Sequence, residues 1–256
     1  MNSVSESLVV LASREFWQAA VIFLRVAAIV SVLPAFGERT VPVRVKLAIA
    51  IAFTLITASA APDSQIPQGG FQISRFVAAE TAIGLAMGIS VRLFVLALQT
   101  AGAICAQSTS LSQILGGAQV EPIPAIGYFL VISGIAFAVM MNLHVHVAKL
   151  ILGSYEVFPA GQFPDARILT YWGLTQVSQA FVLAFRLAVP FVIVSLIYNL
   201  ALGVINRAMP QLMVAFVGAP VITLGGLFLL FAASPLMLHV WFELLMGFLL
   251  DPMGAR

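Results

Sequence analysis

In this chain of 256 residues, 61% are hydrophobic and only 9% are charged, against about 25% charged in soluble domains, so it cannot keep a water-facing surface solvated. Composition therefore excludes an ordinary soluble domain and points to an integral membrane protein. The net charge of +2 comes with no Lys/Arg run and no aromatic–basic alternation, so there is no nucleic-acid footprint; the single Cys105 excludes an intrachain disulfide and a zinc site built on paired cysteines.

The chain opens MNSVSESLVV, with Glu6 and no basic segment, and its first strong apolar run carries Arg25 in the middle, so no cleaved signal peptide is expected. A spanning helix needs about 20 mostly apolar residues. Six candidates follow in order: Phe16–Leu33, ended by Pro34; Val45–Ala61, ended by Pro62; Phe76–Ile104; Ile126–Leu152; Leu174–Ile205; and Leu212–Leu250, interrupted by Pro220, Gly225-Gly226 and Pro235. The third, fifth and sixth exceed one straight crossing, which predicts kinks, tilt or excess length. The expected fold is all-α: a polytopic helical membrane protein of about six long, partly broken helices.

The connections differ in kind. Gly37–Lys46 is the most basic, with Arg39, Arg44 and Lys46 against Glu38. Cytoplasmic loops favour Lys and Arg, so this loop is placed in the cytoplasm. Alternation then puts the Asn206–Gln211 tip on the same side and both termini outside, with Lys149 and Arg167 on the disfavoured side. Gln107–Pro124 is too long for an ordinary helix connection, rich in small residues and nearly uncharged; it reads as a gate loop, with an exterior disordered loop as the alternative. Asn206–Gln211 is a short polar tip between two very apolar helices, where Asn206 suits a helix end and Pro210 stops a continuing helix. The chain divides into a four-helix part, 1–165, and a two-helix hairpin, 166–256.

Arg25, Glu80, Arg92 and Arg186 lie within or near the ends of apolar runs. An Arg near a bilayer centre costs about 2.5–3.5 kcal/mol, so these residues should face protein, water or each other. The alternatives are snorkelling at helix ends or internal pairing, such as Glu80 with a basic residue. Gly84 and Gly88 form a GxxxG spacing that permits close helix approach. His144 and His146 are two apart and share no helix face, and His239 is remote, so no metal site is expected. No H-E-x-x-H, G-x-S-x-G or phosphate loop occurs; neither a cofactor nor enzymatic activity is expected.

One stretch is specific. From Asn199 the sequence runs NLALGVINRAMPQLMVAFVGAP, and from Pro34 it runs PAFGERTVPVRVKLAIA. The first resembles the signature of the FliR family of the flagellar type III export apparatus and its virulence-system counterparts, through Asn199, Ala201, Leu202, Gly203, Asn206, Arg207, Pro210, Gln211, Gly218 and Pro220. The second is similar to the family's V-P-x-R-x-K pattern, carried here by Pro42, Arg44 and Lys46. The resemblance covers essentially the whole chain. It implies a core subunit of an export gate, one copy in a helical ring with FliP-like and FliQ-like subunits, whose centre passes unfolded export substrates. It also implies FlhB-like and FlhA-like partners, with the FlhB-like one around the Asn206, Arg207, Pro210, Gln211 tip, and a place in the bacterial inner membrane at the flagellar basal body. By the same resemblance, 1–165 is FliP-like, 166–256 is FliQ-like, and the loop holding Gln107, Ser110, Gly116, Gly117, Glu121 and Pro122 is a pore plug. The chain departs from the family at Gln107-Ser108-Thr109 and Glu121-Pro122, where Q-M-G and D-P are usual, and at Ala215 and Ala219. A secondary transporter for a small solute is the competing reading; the unequal two-part layout argues against it.

Overall fold

The computed structural model describes residues 2–38, 40–59, 69–109, 125–209 and 214–254, with residues 2–14, 109 and 214–220 described by backbone alone. Every regular element among them is a helix: α1 (Asn2–Val32), α2 (Val43–Ala58), α3 (Gly70–Thr109), α4 (Ala125–Met140), α5 (Leu143–Val157), α6 (Ala166–Ala208) and α7 (Val214–Leu250). The expected all-α, polytopic architecture is observed. The segments Glu15–Val32, Gly70–Ser108, Ala166–Ala208 and Val221–Leu250 are each long and apolar enough to cross a membrane; α4 and α5, bent by 77° at the break between them, make a fifth if the pair is one broken span.

Three expectations about the elements need correction. The fourth candidate, Ile126–Leu152, is two helices, because Asn142 sits in the left-handed region (φ 61°) and ends the run. Asparagine tolerates that conformation far better than an apolar residue does. The sixth candidate is not interrupted: α7 continues through Pro220, Gly225-Gly226 and Pro235. A proline removes one backbone bond, and one lost bond does not end a helix whose alternative is bare backbone in apolar surroundings; Pro190 sits inside α6 in the same way. The second candidate lies earlier than read: α2 runs from Val43 to Ala58, and its 16 residues span about 24 Å at the helical rise, short of the roughly 30 Å hydrocarbon core.

Contacts divide the chain into two compact units. The first comprises Met1–Leu93, Asn142–Gln176 and Met246–Arg256. Its core is made by Val26 and Ile29 of α1, Ile83 and Met87 of α3, and Val147 and Ile151 of α5, all fully buried. Helices α1 and α3 touch through glycine: a Cβ on Gly84 would lie 2.5 Å from the Arg25 carbonyl oxygen, and one on Gly88 would lie 3.0 Å from that of Ile29. Asp165 starts α6, its carboxylate accepting from the amide of Arg167 (2.7 Å) and its carbonyl from that of Leu169 (2.9 Å), which satisfies free amides of the first turn. Trp172 of α6 stacks on Phe248 of α7, and its Nε1–H donates to the Pro252 carbonyl at 2.7 Å.

The second unit comprises Phe94–Met141 and Val177–Leu245. Gly102 of α3 lies against Gly127 of α4 so closely that a Cβ would overlap the Gly127 backbone. Trp241 of α7, fully buried, donates Nε1–H to the Phe94 carbonyl at 2.8 Å, and Phe242 meets Phe137 edge to face at 4.9 Å.

Candidate functional site

The sequence-selected charges meet the physics of burial most sharply at Arg25 and Glu80, whose side chains are both 0% exposed. Their approach is bidentate: Arg25 Nε–H donates to Glu80 Oε2 at 2.8 Å and Nη2–H to Oε1 at 3.1 Å. Arg25 Nη1–H donates to Ser154 Oγ (3.0 Å), Nη2–H also donates to the Phe158 carbonyl (3.0 Å), and the guanidinium carbon lies 3.8 Å from the Tyr155 ring centre. Glu80 Oε1 further accepts the Gly161 amide at 2.8 Å. Gly161 holds φ 73°, and any Cβ there would strike the Phe76 ring. The cluster thus joins α1, α3, α5 and the turn after α5. A buried ion pair is tolerated when its geometry is good and its remaining donors and acceptors are filled, and a flat guanidinium fork supplies both. These contacts clamp the helices together.

The other two intramembrane candidates have different surroundings. Arg92 is half-buried and its Nη1–H reaches the Val32 carbonyl at 3.5 Å, where a cation favourably meets the carboxyl end of α1. Arg186 is exposed on α6 and forms no ion pair among the described residues. The structure therefore brings Arg25 and Glu80 together and leaves Arg92 and Arg186 apart from them.

The first-loop motif is the start of a helix rather than loop. Pro42 (φ −58°) precedes α2, its carbonyl accepting the amides of Val45 (2.9 Å) and Lys46 (3.2 Å). Arg44 is exposed in the first turn, whereas Lys46 Nζ reaches back to the Gly37 carbonyl at 2.9 Å and closes the α1–α2 turn. Gly37 has no room for a side chain, since a Cβ would lie 2.6 Å from the Ser31 carbonyl oxygen.

At the tip, Asn206 and Arg207 are exposed in the last turn of α6, and Arg207 complements the negative helix end. Pro210 and Gln211 lie outside the described residues, as do Ser110, Gly116, Gly117, Glu121 and Pro122 of the expected gate loop. Gln107 is exposed on α3, which runs five residues further than expected, to Thr109. Helix α3 is bonded to α6: Ser195 Oγ–H donates to the Ser108 carbonyl at 2.6 Å. Sequence reasoning missed Ser195, as it missed Ser154 and Gly161; a lone Ser in an apolar helix and a Gly in a turn carry no distinctive signal.

His144 is exposed and His146 half-buried on α5, while His239 meets Glu243 one turn on at 3.3 Å, both largely exposed. Among the described residues no three His, Cys, Asp or Glu side chains come together as a metal site would require.

Comparison with known proteins finds relatives over most of the chain. A family model described as "Bacterial export proteins, family 1" matches residues 16–248. The "Flagellar biosynthetic protein FliR" of Caulobacter vibrioides is 31% identical over 231 residues, covering 89% of this chain and 92% of the relative. The protein of that name from Escherichia coli K12 is 30% identical over 224 residues, 86% of this chain and 84% of the relative. Its Bacillus subtilis namesake is 26% identical over 207 residues, 78% and 79% of the two chains.

Proposed function

The chain belongs to the bacterial export proteins, family 1, and from that premise we propose that it is a structural pore subunit of the flagellar protein-export gate, helping unfolded flagellar proteins cross the inner membrane. The observation that carries this reading is the extent of the match: nearly the whole described body, residues 16–248, follows the family. The relatives' shared name is a flagellar one.

As a multi-pass membrane protein of the export apparatus, it works with other export components. The finer assignments follow the resemblance. FliP-like and FliQ-like subunits are the gate partners, and within this chain 1–165 is the FliP-like part and 166–256 the FliQ-like hairpin; the Asp165 cap, which starts α6, supports that boundary. FlhB-like and FlhA-like proteins are the export partners, and the exposed Asn206 and Arg207 support the tip as the FlhB-like contact. The segment 107–124 is the pore plug, and the basal body is the location. The chain itself is asked for no chemistry; the buried Arg25–Glu80 pair suits a clamp between helices, not an acid or a base. A secondary transporter gains no support from the family match.

Removing the chain from its own cell should abolish secretion of flagellar proteins and assembly of the flagellum, and returning it should restore both. Undiminished secretion in the deletion strain would overturn the reading.

A further inference from the structure

Arg186 is a full charge on the outer face of α6, inside an apolar span. The helix packs through Leu183, Ala184, Leu187, Ala188 and Phe191, all buried, and Arg186 points away from them, exposed beside Phe185 and Val189. It forms no hydrogen bond or ion pair among the described residues. Gln179, about two turns earlier on the same stripe, is exposed and likewise without a hydrogen-bond partner among the described residues.

Lipid cannot be the whole surroundings of this face. Exposed apolar side chains line α6 from Leu174 through Phe181, Val189, Ile193 and Leu200 to Val204, a rise of about 45 Å. The hydrocarbon core is about 30 Å thick, and a helix tilted by about 40° has about 39 Å inside it. Protein therefore covers part of the face, and Arg186 marks which part. It lies about 18 Å from Leu174 and about 27 Å from Val204 along the axis, too far from either end for its side chain to snorkel past the apolar surface. Against acyl chains a guanidinium is strongly disfavoured, and the exposed Val182, Phe185, Val189 and Ile193 around it are no lining for water.

We infer that the outer face of α6 around Arg186 seats an apolar helix of a different subunit, one that presents a carboxylate to Arg186. This rests on the reading of the chain as one subunit of an export gate, and adds the surface and the chemistry of one contact. A full charge in an apolar contact needs a counter-charge, and a carboxylate meets the guanidinium fork in two parallel bonds. Arg25 takes that arrangement with Glu80 inside this chain. A second copy of the chain is the poorer source of the carboxylate. Within the described spanning segments and away from their ends, the carboxylates are Glu80, closed around Arg25, and Glu243, which meets His239 at 3.3 Å. Gln179, with donors and an acceptor to offer, gives the incoming helix a second polar contact that fixes its register.

The test places a photoreactive benzoylphenylalanine at Val182 or at Val189, one turn to either side of Arg186, in the full chain in its own membranes, and reads what illumination attaches. The expected product is one defined partner subunit, joined through a peptide that carries Asp or Glu within an apolar run. Attachment to lipid alone, to a second copy of this chain alone, or through a peptide without Asp or Glu would overturn the inference. Arg186→Leu and Arg186→Lys, each at wild-type abundance in the membrane, then separate charge from bulk. Leucine, which lipid would welcome, should weaken association with that partner in detergent on the order of thirtyfold, the factor for truncating one member of a buried charge pair; lysine should stay close to wild type. Association of Arg186→Leu equal to wild type would overturn the inference as well. Should Arg186→Leu not accumulate, the photoreactive chains, which keep Arg186, carry the test. If deleting the whole chain leaves secretion intact, the export reading fails instead, while the attached partner still decides the contact.

Discussion

Arg25 and Glu80 show what a full charge requires in order to stay inside apolar helices: a counter-charge in bidentate geometry and partners for the remaining donors. Replacing Glu80 by Gln leaves a buried guanidinium without its counter-charge, which costs about 3–5 kcal/mol. The Glu80→Gln chain should unfold at clearly lower temperature in detergent, whereas the paired change Arg25→Met with Glu80→Leu should recover most of the loss, since an apolar pair of similar volume replaces a buried ion pair at little cost. If Glu80→Gln melts with the wild type, the pair is not what holds these helices. Sequence reasoning had internal pairing of Glu80 with a basic residue among its alternatives. It had no means of naming the partner, which lies 55 positions away, nor of seeing that Ser154 and Gly161 complete the shell. Those contacts are made by a turn whose course depends on packing, and spacing along the chain carries no trace of it.

The GxxxG spacing at Gly84 and Gly88 read correctly as a packing signal, because glycine in an apolar helix has few uses other than close approach. Gly84→Ala places a methyl group 2.5 Å from the Arg25 carbonyl oxygen and 2.7 Å from the Ala28 Cβ, with little freedom to shift on either helix. Overpacking of this kind costs about 1–3 kcal/mol; the expected outcome is a lower melting temperature, and an unchanged one would show that α1 can move away. Gly102, equally close to Gly127, lay outside any motif and went unread. Helix ends were the least legible feature. The run from Ile126 to Leu152 is apolar throughout, so nothing in its hydropathy marks the break at Asn142, and the prolines that invited breaks at 220 and 235 did not produce them. These revisions bear on topology. If α2, the shortest helix concerned, crosses as α3, the α4–α5 pair and α6 do, the Val41–Lys46 stretch and the Asn206–Gln211 tip lie on one face. Cysteines placed singly at Arg44 and Arg207, in a Cys105→Ser chain, should both react with an impermeant thiol reagent applied from the cytoplasmic side. Reaction from opposite sides would remove α2 from the crossings.

For the whole molecule, composition sufficed to identify a membrane protein and two short motifs sufficed to indicate its family, because both are properties of local sequence. The two compact units are not such a property: α3, α6 and α7 each supply one stretch to each unit, so no composition shift or linker marks the division. The pore-plug reading of 107–124 rests on resemblance and on the near-absence of charge in that stretch. Deleting Ser112–Gln119 should raise ion leakage through membranes containing the assembled complex; conductance and secretion both at wild-type level would show that the segment seals nothing.

The central claim is that this chain is a subunit of a multi-subunit export gate. Its most direct test is to purify the tagged chain in mild detergent from its own membranes and to identify by mass spectrometry what stays bound. Recovery of one complex containing FliP-like and FliQ-like subunits together with this chain is the predicted result. A chain recovered alone, stable and free of other export components, would contradict it.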